Sequence, residues 1–157
     1  MQANLHQEDW ADILDQAYPI EFGWIGVDNL NRVGYFSTFN RAYTPKKVLS
    51  SFEEYVKLAE CINNLPEISS SLLCTKEKGW FDHWHFHSRR GLIGYDYWDA
   101  HRKPHEQLNR YDLITIPDTP IDFNSIQGIE QYNHIIPGFD LVFSGDILFE
   151  DLRRTER

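Results

Sequence analysis

Three histidines at alternate positions, His83, His85 and His87, stand in the stretch WFDHWHFHSRRGLIGYDYWDAHRKPH, which runs from Trp80 to His105. This stretch holds five of the seven histidines and three of the five tryptophans, so it is the densest concentration of chemically capable side chains in the chain. Imidazoles two residues apart on a strand point to the same side and stand close enough to share one ion, which is why the spacing suits zinc, copper or iron. A strand from Trp80 to Ser88 puts Phe81, His83, His85 and His87 on one face, continued by Arg89, with Trp80, Asp82, Trp84 and Phe86 on the other. A divalent ion there needs a third or fourth donor, and Asp96, Asp99, His101 and His105 are the candidates if the chain folds back. A bound ion activates water, so metal-dependent hydrolysis is the enzymatic reading. The other reading makes the same histidines the polar, half-exposed face of an aromatic-rich strand whose indoles lie in the core. The cationic run His87-Ser88-Arg89-Arg90 is a further candidate for gripping a phosphate or carboxylate.

Other chemistries find little footing. No Ser or Cys has an identifiable base and orienting partner, so a nucleophilic triad is unsupported. No G-x-x-x-x-G-K-[ST] or G-x-G-x-x-G occurs, which disfavours a nucleotide fold. Fifteen Lys and Arg against 24 Asp and Glu give a net charge of −9, a balance that disfavours binding to nucleic acid because phosphate neutralisation needs cations. An acidic surface suits a basic protein partner, or serves solubility alone. Cys61 and Cys74 form no C-x-x-C pair, so a structural disulfide is not expected and a four-cysteine zinc site is impossible. The N-terminal residues are acidic where a secretory signal is basic, and no segment approaches ~20 apolar residues. A cytoplasmic protein without a membrane span is the expectation.

The elements that must position the histidine stretch are readable in part. Residues 5–17 place Leu5, Trp10, Ile13, Leu14 and Ala17 along one helical stripe, ended before Pro19. Glu8, Asp9, Asp12 and Asp15 lie off that stripe, on a solvated or partner-binding face. Phe22–Phe39 reads as a hairpin: two aromatic and β-branched runs flank the polar turn Asn29–Arg32. Trp24, Gly26 and Asp28 share one face of its first strand, Ile25 and Val27 the other. Gly26 and Gly34 weaken these strands unless another side chain approaches closely. A helix is predicted over 50–63, capped by Ser50 or Ser51 with Glu53 or Glu54 three residues on, and stopped by Asn63-Asn64-Leu65-Pro66. A short helix over 69–74 is allowed by composition. Gly91 would turn the histidine strand into a second one over 92–101, followed by a loop over 102–110 and a third run at Tyr111–Pro117. Farther on, Asn124 or Ser125 suits a cap for a short helix through Gln131, and 139–152 carries one or two last strands or a strand and helical turn. LRRTER reads as a frayed end.

The order WIGVD, turn, VGYFST, proline, helix, GLIGYDYWD, loop and YDLITIPDTPIDFNSI resembles small bacterial immunity-type proteins of polymorphic toxin systems. Such proteins often open with W-I-x-x-D, a turn and apolar-x-F-S. Later they carry G-[apolar]-x-x-Y-D and then Y-x-[apolar]-x-x-P-x-x-P-[apolar]. Here these elements are Trp24, Ile25, Asp28 and Phe36, then Gly91 or Gly94 with Tyr95 and Asp96, then Tyr111, Pro117, Pro120 and Ile121. The resemblance covers about 22–128. It implies binding without turnover: a cytoplasmic protein-binding module that neutralises a cognate toxin, with a basic toxin domain as the candidate partner. The densest patch of aromatics and acids, Tyr95, Asp96, Tyr97, Trp98 and Asp99, is the expected contact surface, unless those aromatics are core. The expected fold is a single α+β domain over 1–157, an antiparallel sheet with two or three helices packed against it.

Overall fold

A computed structural model describes residues 1–17, 20–39, 42–97 and 109–157. Among the described residues the architecture is α+β, with four α-helices and a curled mixed sheet. In chain order the elements are α1 (Gln7–Asp15), β1 (Glu21–Val27), β2 (Val33–Phe39), α2 (Phe52–Asn63), β3 (Ser71–Leu73), α3 (Asp82–Arg89), β4 (Ile93–Asp96), β5 (Arg110–Pro117), β6 (Ile147–Leu148) and α4 (Phe149–Thr155). The sheet runs β1-β2-β4-β5-β3, and β6 also pairs with β5.

The predicted hairpin forms, with β1 and β2 antiparallel from Glu21↔Phe39 to Val27↔Val33. Its turn is locked by Asp28, whose buried carboxylate accepts the backbone N–H groups of Leu30 and Arg32 at 2.9 Å each and of Phe143 at 3.1 Å. The Arg32 guanidinium neutralises it at 2.6 Å. Helix α2 also follows its sequence signals: the Ser51 hydroxyl accepts the Glu54 N–H, and Tyr55, Leu58, Ala59 and Ile62 are buried at helical spacing.

The expected all-antiparallel sheet is incorrect at one join. Strand β4 lies parallel to β2, from Gly34↔Ile93 to Ser37↔Asp96. A histidine strand turning at Gly91 would have delivered β4 antiparallel to its predecessor. The chain instead forms a helix there, and β4 is reached by a long crossover, the connection that parallel pairing requires. Two smaller expectations are corrected as well. Residues 71–73 pair with β5 as an edge strand rather than forming a helix. The C-terminal LRRTER is held down: Phe149 and Leu152 of α4 are buried, Glu156 bridges to Phe139, and the Arg157 N–H donates to the Gly138 carbonyl at 2.8 Å. The region after β5 holds two 3-10 turns, Phe123–Ser125 and Ile129–Tyr132, and the first is capped by Asp122.

Both faces of the central strands are covered. On one face Trp24 stacks on Phe36 at 4.1 Å, Phe36 stacks on Tyr95 at 4.9 Å, and Phe139 and Phe143 close the layer. The glycines of β1 and β2 admit these rings. A Cβ at Gly26 would stand 2.8 Å from the Phe139 ring, and one at Gly34 would stand 2.8 Å from Phe143. Helices α2 and α3 occupy the opposite face, where the Tyr55 hydroxyl donates to the Gly23 carbonyl at 2.7 Å and the Trp84 indole donates to the Tyr95 carbonyl at 3.0 Å.

Candidate functional site

The histidines lie on α3 rather than on a strand, which changes what they can do together. Phe81, Trp84, His87 and Ser88 recur at three- and four-residue spacing and turn toward the sheet, while Asp82 and Arg89 sit at the ends that suit the helix dipole. The helix closes in a Schellman motif: Gly91, at φ 89°, donates to the Ser88 carbonyl, and Leu92 donates to the His87 carbonyl. Arg90 and Gly91 at the end and Asp82 at the start were the readable signals. The density of Trp, Phe and His, which fit strands well, masked them.

On a helix, His83 and His87 are neighbours one turn apart and His85 points elsewhere. Its Nδ1 lies 2.7 Å from the Ser71 hydroxyl. The three-histidine face predicted from a strand is therefore incorrect. Among the described residues no group of three or more His, Cys, Asp or Glu is placed to hold a metal ion. His101, His105 and Asp99 lie outside the described residues.

What α3 builds instead is a buried polar chain. The His87 Nδ1 lies 2.9 Å from the His83 carbonyl, which can only accept, so Nδ1 carries the proton and Nε2 presents a lone pair. The Met1 amine lies 2.7 Å from that Nε2 and donates to Asn63 Oδ1 at 3.2 Å; Asn63 returns a bond to the Met1 carbonyl at 2.8 Å. The His87 ring stacks flat on Tyr35 at 3.8 Å, and the Tyr35 hydroxyl bonds His83 Nε2. Tyr35 fits because Gly23 leaves room: an added Cβ there would overlap the phenol ring.

Burial sets the protonation of the whole chain. It lowers the Met1 amine from 8.0 to about 5. It also lowers His83 from 6.5 to about 4, with the nearby amine as the second cause. His87 is driven well below its ordinary value by burial and then by the amine, and burial pushes Tyr35 well up. All four groups are neutral near pH 7. Tyr35 keeps its proton, and its hydroxyl is hydrogen-bonded to the neutral His83 ring at Nε2. The arrangement takes up protons on acidification.

The predicted recognition patch is also redistributed. Tyr95 is 0% exposed and Tyr97 9%, packed against Phe36 and Phe149 respectively, so both are core residues and offer no contact surface on the folded chain. Asp96 is half-buried opposite Asp112, and Trp98 and Asp99 lie outside the described residues.

A different surface has the properties of a protein contact. Trp10 of α1 packs on Phe52 and Tyr55 of α2, with ring centroids 5.6 and 5.0 Å apart, and so brings two acidic helices together. Glu8, Asp9, Asp12 and Asp15 on α1 join Glu53, Glu54 and Glu60 on α2, against Lys57 alone. Beside α2 runs a groove of about 450 Å³ floored by Leu5, Phe52 and Val56 and rimmed by Glu53, Lys57 and Glu60. Lys57 is engaged by Glu53 at 2.6 Å, which leaves Glu60 and the α1 carboxylates as the dominant field. The acidic stripe of α1 was visible in the sequence. The groove was not, because it depends on how Leu5, two residues ahead of α1, meets α2.

The chain matches no protein-family model, no curated protein and no solved structure.

Proposed function

We propose that the chain is a non-enzymatic, cytoplasmic protein-binding module of the immunity type, which neutralises a cognate bacterial toxin by covering a basic surface of the toxin domain. The acid-rimmed apolar groove between Leu5 and α2 is the observation that carries this reading. Apolar floor and charged rim match the anatomy of protein interfaces, in which desolvated anchors supply affinity and complementary charge supplies steering and partner choice. A cationic segment of the partner with one or two apolar anchors fits it. The net charge of −9 acts in the same direction at longer range. Among the described residues no helix is long and apolar enough to cross a membrane.

The test is titration of the purified chain against the toxin domain encoded beside its gene, with affinity measured at low and high salt and toxicity measured on co-expression. The expected result is a salt-sensitive complex and rescued growth. A double reversal, Glu53→Lys with Glu60→Lys, should weaken it by about tenfold or more, because both rim charges would then repel a basic partner. Affinity indifferent to both salt and the double reversal, or the absence of a complex, would refute the proposal.

A further inference from the structure

We propose that a second copy of this chain pairs with the free edge of β3, forming a two-fold dimer through antiparallel β3 strands. Strand β3 ends the sheet, with β5 on one side and no strand on the other among the described residues. The ladder to β5 fixes which backbone groups face outward. Cys74 donates to the Ile114 carbonyl and Asp118 donates to the Ser70 carbonyl, so residues 70, 72 and 74 face β5 and the N–H and C=O groups of Ser71 and Leu73 face away.

Strand β3 is short, three residues, which itself limits an edge, but the other usual protections are missing. Natural edges are blunted by lysine, proline or a bulge, yet Ser70–Cys74 contains neither charge nor proline, and the β3–β5 register runs without a shift. Its own large apolar side chains are exposed, Leu72 at 57% and Leu73 at 39%, and Trp80, two residues ahead of the helix that packs on β3, is exposed at 83%. An exposed strand with such neighbours is a surface that becomes stable when covered.

Charge decides between the two candidates for the covering partner. The acidic groove suits a basic partner, whereas the β3 edge has opposite signs at its two ends. Asp118 is held beside Ser70 at the start of the strand, and Lys76 and Lys78, with Glu77 between them, follow its end. Among the described residues none of Asp118, Lys76 and Lys78 has an ion partner within the chain. An antiparallel copy lays the lysine end of each strand against the Asp118 end of the other, and two-fold symmetry makes both contacts. Pairing Ser71 with Leu73 of the second copy uses every outward backbone group of β3. It also sets Ser70 opposite Cys74 of the second copy in a non-hydrogen-bonded pair, where Cα atoms stand ~4.5 Å apart.

Sedimentation of the full chain across micromolar to millimolar concentrations tests the pairing. The expected species has twice the 18.6 kDa mass of the chain. Leu72→Lys should return it to a monomer while far-UV circular dichroism stays unchanged, since that side chain lies outside the core and an edge lysine opposes pairing. Register is tested independently by Ser70→Cys: mild oxidation should give a covalent dimer through Cys74, within disulfide reach, and Cys74→Ser should abolish it. A monomer at all concentrations, or a dimer that survives Leu72→Lys and gives no Ser70→Cys cross-link, would overturn the proposal. Neither result bears on toxin binding at the α1–α2 groove, so the two readings fail separately.

Discussion

Acidification from pH 7 to pH 5 should strip the protein of about 4 kcal/mol of stability through the Met1 amine and His83 alone. Both are bases whose folded pKa is depressed. Their contribution is complete above the unfolded values, 8.0 for the amine and 6.5 for His83, and is lost as pH falls toward about 5 and about 4. The unfolded chain binds more protons throughout that window, so stability rises with pH. At pH 7 the amine already costs about 1.4 kcal/mol, because the unfolded amine is mostly protonated while the folded one is not. Between pH 7 and pH 5 the amine loses a further ~2 kcal/mol and His83 about the same. His87, buried on the same network, adds to the loss in the same direction. Against a typical domain stability of roughly 5–15 kcal/mol this is a large fraction.

Urea unfolding followed by tryptophan fluorescence at pH 5, 6, 7 and 8 measures the effect directly. The midpoint should fall steadily with pH while the slope stays constant, the sign of a native state losing stability rather than changing compactness. His83→Gln should flatten the lower half of the profile by about one proton, leaving the amine-dependent part between pH 6 and pH 8. In the intact protein the His83 ring protons, followed by NMR, should titrate near 4, far below an ordinary histidine. A midpoint that is flat from pH 8 to pH 5, or a His83 titration near 6.5, would refute the account of a neutral, buried Met1–His87–Tyr35–His83 chain.

Asp28→Ala should cost about 3–5 kcal/mol in urea unfolding, because it leaves the N–H groups of Leu30 and Arg32 and the buried N–H of Phe143 without their acceptor and strands the Arg32 charge. Gly23→Ala should destabilise by about 1–3 kcal/mol through overlap with the Tyr35 ring, seen as a lowered thermal midpoint. Ser51→Ala, which removes the α2 cap, should cost about 1 kcal/mol by the same measurement.

How far the fold was legible follows from which signals are local. The β1–β2 hairpin and α2 announce themselves within fewer than twenty residues each, through turn chemistry, alternation and the Ser51–Glu54 cap. The crossover that makes β4 parallel to β2 cannot be read locally, because it depends on α3 being a helix. There the sequence carries two compatible periods. His83, His85 and His87 fit period two, while Phe81, Trp84, His87 and Ser88 fit a helix, and only the partner surface selects between them. The sheet selects the helix, since Trp84 reaches the Tyr95 carbonyl and His87 lies flat on Tyr35 only from that geometry. The contact that gives His87 its chemistry comes from Met1, 86 positions away, and no spacing rule points to it. The same reasoning explains why Tyr95 and Tyr97 suggest a recognition patch in the sequence and fill the core in the fold: aromatic type marks burial and binding alike, and only topology separates them. Charge is less ambiguous, because a carboxylate without a cation partner stays at the surface wherever its element packs. The acidic stripe of α1 therefore keeps its meaning from sequence to structure, and it acquires a direction when Trp10 docks it on α2 beside the Leu5–Phe52–Val56 groove.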